Sequence, residues 1–115
     1  MHKSELENRV QGAGDGLIIS ELDLSAGQYQ SANLAGAVFN KVRFVAAQLQ
    51  SANLKESTFI DCDFKHADLS KANVTLASFV RCQFDGSQLT SLQAENSHFV
   101  ESEFAQSEFV QSEFV

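Results

Sequence analysis

Tryptophan and proline are absent from this chain of 115 residues, tyrosine and methionine occur once each, and cysteine occurs twice. Two cysteines are too few for a disulfide framework. The longest strongly apolar run, Leu17-Ile18-Ile19, is far shorter than the roughly 20 residues of a membrane-spanning helix. Near the start, His2, Lys3, Glu5 and Glu7 stand where a signal peptide would be apolar. The expectation is a soluble, cytoplasmic protein with no membrane partner. Basic residues are scarce and stop at Arg81, leaving a formal net charge of -7. Direct nucleic-acid binding normally requires a basic face, so that class is set aside. There is no glycine-rich phosphate loop, no C-x-x-C and no H-x-x-x-H, and no cofactor or metal is expected.

One aromatic is abundant. The ten phenylalanines fall into a repeat. From Leu24 to Phe114 every fifth residue is large and apolar, with Ala94 as the one small residue in the series. Two positions earlier stands a small residue, for example Ala32, Ala37, Ala47, Ala52, Cys62, Ala67 and Cys82. A period of five fits neither a helix nor a plain strand. It fits a chain that turns a corner every five residues, with one large and one small side chain pointing inward on each side.

A longer period counts the sides. Val38-Phe39-Asn40-Lys41-Val42-Arg43-Phe44 returns in outline at Thr58–Phe64, Ser78–Phe84 and His98–Phe104, each time 20 residues on. Four pentapeptides therefore make one coil. Phe39, Phe59, Phe79 and Phe99 are expected to stack on one side, and Phe44, Phe64, Phe84 and Phe104 on the next. Leu92-Gln93-Ala94 inverts the usual order of large and small; such volume-conserving exchanges are tolerated in packed cores. Val42 beside Phe44 overfills its unit and predicts a local bulge.

Units such as Ala32-Asn33-Leu34, Ala52-Asn53-Leu54 and Ala67-Asp68-Leu69 resemble the A-(D/N)-L-x-x unit of the pentapeptide-repeat family, over about residues 22–115. The resemblance implies an all-β fold, a right-handed quadrilateral β-helix of about four to five coils. Residues 1–16 are read as an N-terminal cap segment and 17–115 as the solenoid. Ser4-Glu5-Leu6-Glu7 has the form of a capping box, Leu6 and Val10 share a helical face, and Gly12-Ala13-Gly14 is a stop signal. A short helix over the first coil is expected, because terminal coils need covers.

The other end continues in phase to Val115, with Phe104, Phe109 and Phe114 in the core register. An uncovered β edge invites pairing. The expectation is homodimerisation through these phenylalanines, or a longer chain.

The remaining candidates concern surfaces and stacked polar columns. Cys62 and Cys82 occupy equivalent inward sites in successive coils and read as buried spacers, with a regulatory disulfide as the alternative. Asn33, Asn53 and Asn73 form an outward column, read as an amide ladder. His66 and His98 are expected to face outward on different coils. Asp61 and Asp63 sit on a convex rod with no loop to build a cleft, so no enzyme is expected. Ile60, Val80 and Val100 should stack as an exposed aliphatic stripe for a protein partner. Beyond Arg81 the charge is all acidic, and Glu101, Glu103, Glu108 and Glu113 are the candidate acidic face. Two functions follow. One is a rigid scaffold that docks a protein through a face or its open end. The other comes from the family resemblance: a DNA mimic that binds DNA gyrase or a related topoisomerase, in the manner of quinolone-protection proteins.

Overall fold

The structure is a computed structural model and describes residues 1–13 and 18–108. Helix α1 runs Lys3–Ala13. Five short strands follow: β1 Ile18–Ser20, β2 Val38–Asn40, β3 Thr58–Ile60, β4 Ser78–Val80 and β5 His98–Val100. They form one parallel sheet in the order β1-β2-β3-β4-β5, with Phe39 paired to Phe59, Phe59 to Phe79 and Phe79 to Phe99.

Three further columns of parallel bridges complete the coil. Asp23, Arg43, Asp63, Gln83 and Glu103 pair in series, as do Gln28, Gln48, Asp68, Gln88 and Glu108, and Asn33, Asn53, Asn73 and Gln93. Every partner is 20 residues away. The chain is a parallel β-solenoid with four sides, and four turns separate β1 from β5.

Both phenylalanine columns stack as the period implies. Centroids lie 4.8 Å apart for Phe59–Phe79 and Phe79–Phe99, and 4.9 Å for Phe44–Phe64 and Phe64–Phe84, with planes within 3°. The columns meet edge-on, as at Phe59–Phe64, 5.2 Å and 72°. Aromatic pairs favour these two geometries, offset stacked and T-shaped. The angle between successive rings stays within 3° from Phe59 to Phe99 and is 10° at Phe39–Phe59, so coils on the two phenylalanine sides repeat with little rotation.

The corners fall where the period of five places them, but their backbone conformation is new. Every fifth residue from Glu21 to Gln106 lies in the left-handed region, including Ser51 at 61°, Leu76 at 61° and Arg81 at 51°. That conformation costs a non-glycine residue about 1–2 kcal/mol. From Glu21 to Gly86 each turn aims its N–H at a carbonyl of the next coil: Ser51 N to Ser70 O at 2.9 Å, Arg81 N to Val100 O at 2.8 Å. A signal did exist in the sequence, because no Val, Ile or Thr occupies any of these positions. β-branched side chains suit that backbone least.

Val42 produces no bulge. It is fully buried, Arg43 keeps register with both Asp23 and Asp63, and Arg43 N still reaches Leu22 O at 2.9 Å. Val42 stands in the inward column between Leu22 and Cys62. Leu92 and Ala94 are both 1% exposed, and Gln93 N bonds Ala72 O at 3.0 Å, so the inverted unit leaves the coil unbroken.

The cap differs from the capping-box expectation. Helix α1 begins at Lys3, which places Ser4 inside the first turn, and the His2 carbonyl accepts from Leu6 N at 3.1 Å. Glu7 has other work. Its carboxylate accepts the Asn33 N–H at 2.8 Å. In later coils this donor finds a carbonyl of the preceding coil, as Asn53 N finds Ala32 O at 2.9 Å. At Asn33 a helix stands in place of that coil, and a side chain substitutes for the missing strand. Lys3 Nζ bonds Gln30 O, Tyr29 Oη bonds Met1 O, and Leu6 is fully buried on the core. Leu6→Ala should cost about 2–5 kcal/mol by the usual cavity cost. Glu7→Ala should cost nearer 1 kcal/mol, since Asn33 is exposed and water can replace the acceptor. Urea denaturation of the two variants would check the order, and a larger loss for Glu7→Ala would contradict it.

Candidate docking surface

The four sides differ outward. The β1–β5 side carries two columns: Ile18, Val38, Thr58, Ser78 and His98, then Ser20, Asn40, Ile60, Val80 and Val100. Ile60 and Val80 are half-buried against their coil neighbours, while Val100 is 47% exposed and Ile18 54%. The strained corner residue Leu76, 53% exposed, borders the same side. On the other three sides, the outward strand positions from Asp23 to Glu108 hold one aliphatic residue larger than alanine, Val45. The stripe of Ile60, Val80 and Val100 is thus part of one flat, aliphatic-rich side.

Polar columns occupy the other sides and are largely satisfied among themselves. Asn53 Nδ2 donates to Asn33 Oδ1 at 3.3 Å, and each asparagine Oδ1 accepts the N–H two residues on, as Asn73 does from Thr75 at 3.0 Å. Gln50 Nε2 bridges Gln48 Oε1 at 2.6 Å and Asp68 Oδ2 at 3.0 Å. The Asn33–Asn53 rung is the amide ladder that stacked identical units make, while Gln50 reaches the next coil through a carboxylate.

Along one corner of the sheet side runs a charged column: Glu21, Lys41, Asp61, Arg81 and Glu101, all exposed and all left-handed. Its signs alternate. Arg81 holds Asp61 through two bonds, Nε–Oδ1 at 2.8 Å and Nη2–Oδ2 at 3.2 Å. Hydrogen bonding from Arg81, with its charge and that of Lys41, holds the Asp61 carboxyl below the usual range.

The acidic residues do not make a face. Glu101 is at a corner, Glu103 on the second side and Glu108 on the third, since residues five apart occupy adjacent sides. They form a band around the last described coil. Glu113, Phe109 and Phe114 lie outside the described residues. Phe104 is described, half-buried and stacked on Phe84 at 4.8 Å.

Among the described residues no catalytic constellation assembles. Cys62 and Cys82 are buried free thiols, with Cys62 Sγ donating to Ile60 O at 3.5 Å and Cys82 Sγ to Phe59 O at 3.3 Å. Its hydrogen bond with Cys62 and burial push the Cys82 thiol up, away from a reactive thiolate. His66 and His98 are both exposed, on different coils. Among the described residues, no three of His, Cys, Asp and Glu converge as metal ligands would, and no helix is long and apolar enough to cross a membrane. The depression between Ala35, Gly36, Asn53, Lys55 and Glu56 is open and holds no pairing of nucleophile and base.

A family profile for the pentapeptide repeat region matches residues 32–114. The chain belongs to the pentapeptide repeat family. Pentapeptide repeats are generally structural and interaction folds and not enzymes. Among solved pentapeptide repeat structures, Rfr23 of the cyanobacterium Cyanothece 51142 superposes with a TM-score of 0.78 at 19% identity. The match covers 81% of this chain and 64% of Rfr23, so this chain spans just under two thirds of that protein. At such identity the likeness concerns the fold. A trypsin-treated form of QnrB1, a plasmid-mediated fluoroquinolone resistance protein, aligns at a TM-score of 0.49 and 13% identity, over 85% of this chain and 70% of its own. A pentapeptide repeat protein of the Arabidopsis thaliana thylakoid lumen aligns at 0.42 and 19%, over 89% and 64%. Comparison with curated proteins gives no significant match.

Proposed function

We propose that this pentapeptide repeat chain is a non-enzymatic docking module, a rigid rod that binds a protein through its β1–β5 side. One observation carries the proposal. The exposed large aliphatic residues Ile18, Leu76 and Val100 lie at different levels on or beside the one side that also holds Ile60 and Val80. Exposed aliphatic patches on an otherwise polar protein mark interaction sites. The backbone beneath is locked by coil-to-coil hydrogen bonds, so little ordering entropy opposes binding. Two free, buried thiols suit a reducing compartment such as the cytoplasm.

A photo-crosslinking residue at Val80, compared with one at Gln48 on the polar third side, tests this in cells. Protein adducts at position 80 and none at 48 are expected. Equal yields at both, or none at either, would remove the sheet side as the docking surface.

Imitation of duplex DNA, the other function that family resemblance suggests, needs negative charge repeated along the rod. Duplex DNA carries one charge per ~1.7 Å. Here the Glu21–Glu101 corner alternates in sign, and the acidic residues beyond Arg81 encircle the rod. In a DNA gyrase supercoiling assay, micromolar protein should neither inhibit the enzyme nor protect it from a quinolone. Salt-sensitive inhibition would put mimicry first.

A further inference from the structure

We infer that the sheet side is built to receive a second copy of this chain, packed face to face with the rods antiparallel about a two-fold axis between the third and fourth coils. The inference rests on the docking role of that side and names its occupant.

Flatness comes first. Successive rings in the core are within 3° of parallel at Phe59–Phe79 and Phe79–Phe99 and within 10° at Phe39–Phe59, so the outward columns above them run nearly straight. Most sheets twist by about 20° per strand and lose register across a flat partner. Two straight columns with the same repeat stay in register over their full length.

The charged corner then selects the arrangement. Its order is negative, positive, negative, positive, negative from Glu21 to Glu101. In an isologous pair a residue at one level meets the residue equally far on the other side of the axis. An axis through the level of Asp61 would set Asp61 against Asp61 and Lys41 against Arg81, all of like sign. An axis midway between Asp61 and Arg81 sets Asp61 against Arg81 of the second copy, and Lys41 against Glu101 of the second copy. All four contacts are then of opposite sign. The charges also close into a neutral cluster, in a chain whose net charge is -7.

Aliphatic packing picks among the remaining registers. Moving the axis one coil toward the N-terminus still pairs opposite charges, but it sets Ile60 on Asn40 and Val80 on Ser20; moving it one coil toward the C-terminus sets Arg81 on Glu101 and Val80 on Val100, but carries Lys41, Asp61 and Ile60 past the last described coil. The chosen axis sets Ile60 on Val80 in both directions, at the centre of the contact. A parallel pair is disfavoured, because rotation about the rod axis brings Asp61 against Glu56 of the other copy and sets Lys41, Arg81 and Glu101 against the uncharged Gly36, Leu76 and Asn96. Charge pattern and apolar pattern therefore agree on one register.

Size sets the strength. With extents of 34 × 26 × 24 Å, one side of the rod offers on the order of 600 Å², somewhat under the ~800 Å² per partner of a standard interface. A reversible dimer in the micromolar range follows.

The test uses two single variants and their mixture. Asp61→Arg turns the central contact into Arg against Arg, and Arg81→Asp turns it into Asp against Asp. Both lose the internal Asp61–Arg81 pair, so any effect on folding is shared, and circular dichroism checks that each remains folded. Sedimentation equilibrium should find the parent chain dimerising, and each variant alone weakened on the order of 100-fold, as facing like charges cost. An equimolar mixture should regain the dimer mass, because Arg at 61 then meets Asp at 81 across the axis. A parent chain monomeric through the micromolar range, a mixture no heavier than its parts, or single variants that dimerise unchanged would each overturn the inference. The last result would point to association elsewhere, such as the Phe104 end. Heterologous adducts from the crosslinker at Val80, with a monomeric parent, would overturn the second copy and leave the docking role standing.

Discussion

Replacing Phe64 by alanine is expected to lower the free energy of unfolding by about 3–5 kcal/mol, the range for a fully buried phenylalanine. Phe64 sits at the centre of the packing. It stacks on Phe44 and Phe84 at 4.9 Å each and meets Phe59 and Phe79 edge-on at 5.2 and 5.9 Å. Four aromatic contacts vanish together, and neighbours tied by backbone bonds to the coils on either side have little freedom to close the gap. Domains of this kind are stable by ~5–15 kcal/mol, so the loss is a large share. Because solenoid coils touch only their neighbours, a weak middle coil should also uncouple the two ends. Urea denaturation followed by circular dichroism should show a lower midpoint and a broadened or stepped transition. Phe64→Leu should cost about 1.5 kcal/mol or less, as volume-conserving changes do. An alanine variant within 1 kcal/mol of the parent would mean the ring column is not packed as described.

The second large effect is at a corner. Ser51 has φ of 61°, and its N–H bonds Ser70 O at 2.9 Å. Proline fixes φ near -65° and has no N–H. Ser51→Pro therefore conflicts with both the turn and the coil-to-coil bond, and a loss of about 3 kcal/mol or more is expected. Ser51→Gly should be close to neutral, since glycine enters the left-handed region without strain but loses more freedom on folding. Melting temperatures of the two variants separate the contributions: both share the lost side chain, and proline alone disturbs the backbone. If Ser51→Pro melts with the parent chain, the left-handed corner is wrong.

These two positions mark how much of the architecture the amino-acid pattern reveals. Phe64 could be placed from spacing alone, because an inward site recurring every fifth residue admits a large apolar side chain and little else. The conformation of Ser51 had no such marker. Most corner residues are exposed and face little volume constraint, so Ser, Lys, Glu, Leu and Arg all serve there; Gly86, beneath His66, is an exception. What the backbone forbids shows as a missing class, the β-branched residues, and an absence is harder to see than a repeat. The capping box misled for a related reason. Ser4 and Glu7 have the right spacing for a local cap, yet Asn33 N–H, 26 residues away, lacks a strand to bond and takes the Glu7 carboxylate.

The surface divides in the same way. That Ile60, Val80 and Val100 share a column follows from their spacing of 20. That Ile18 and Leu76 border the same side, and that Glu101, Glu103 and Glu108 occupy different places around the rod, depends on where the corners fall. The sequence by itself determined the coil length, the four-sided core, the residues in each phenylalanine column and the expectation of a helix over the first coil. All of these are inward or periodic, and close packing leaves them few alternatives. Only the tertiary structure decided the left-handed corners, the partner of Glu7, the absence of a bulge at Val42 and the alternating edge beside a flat aliphatic side. Those depend on contacts between coils, where a residue's role is set by what lies 20 positions away and by the direction in which the chain turns.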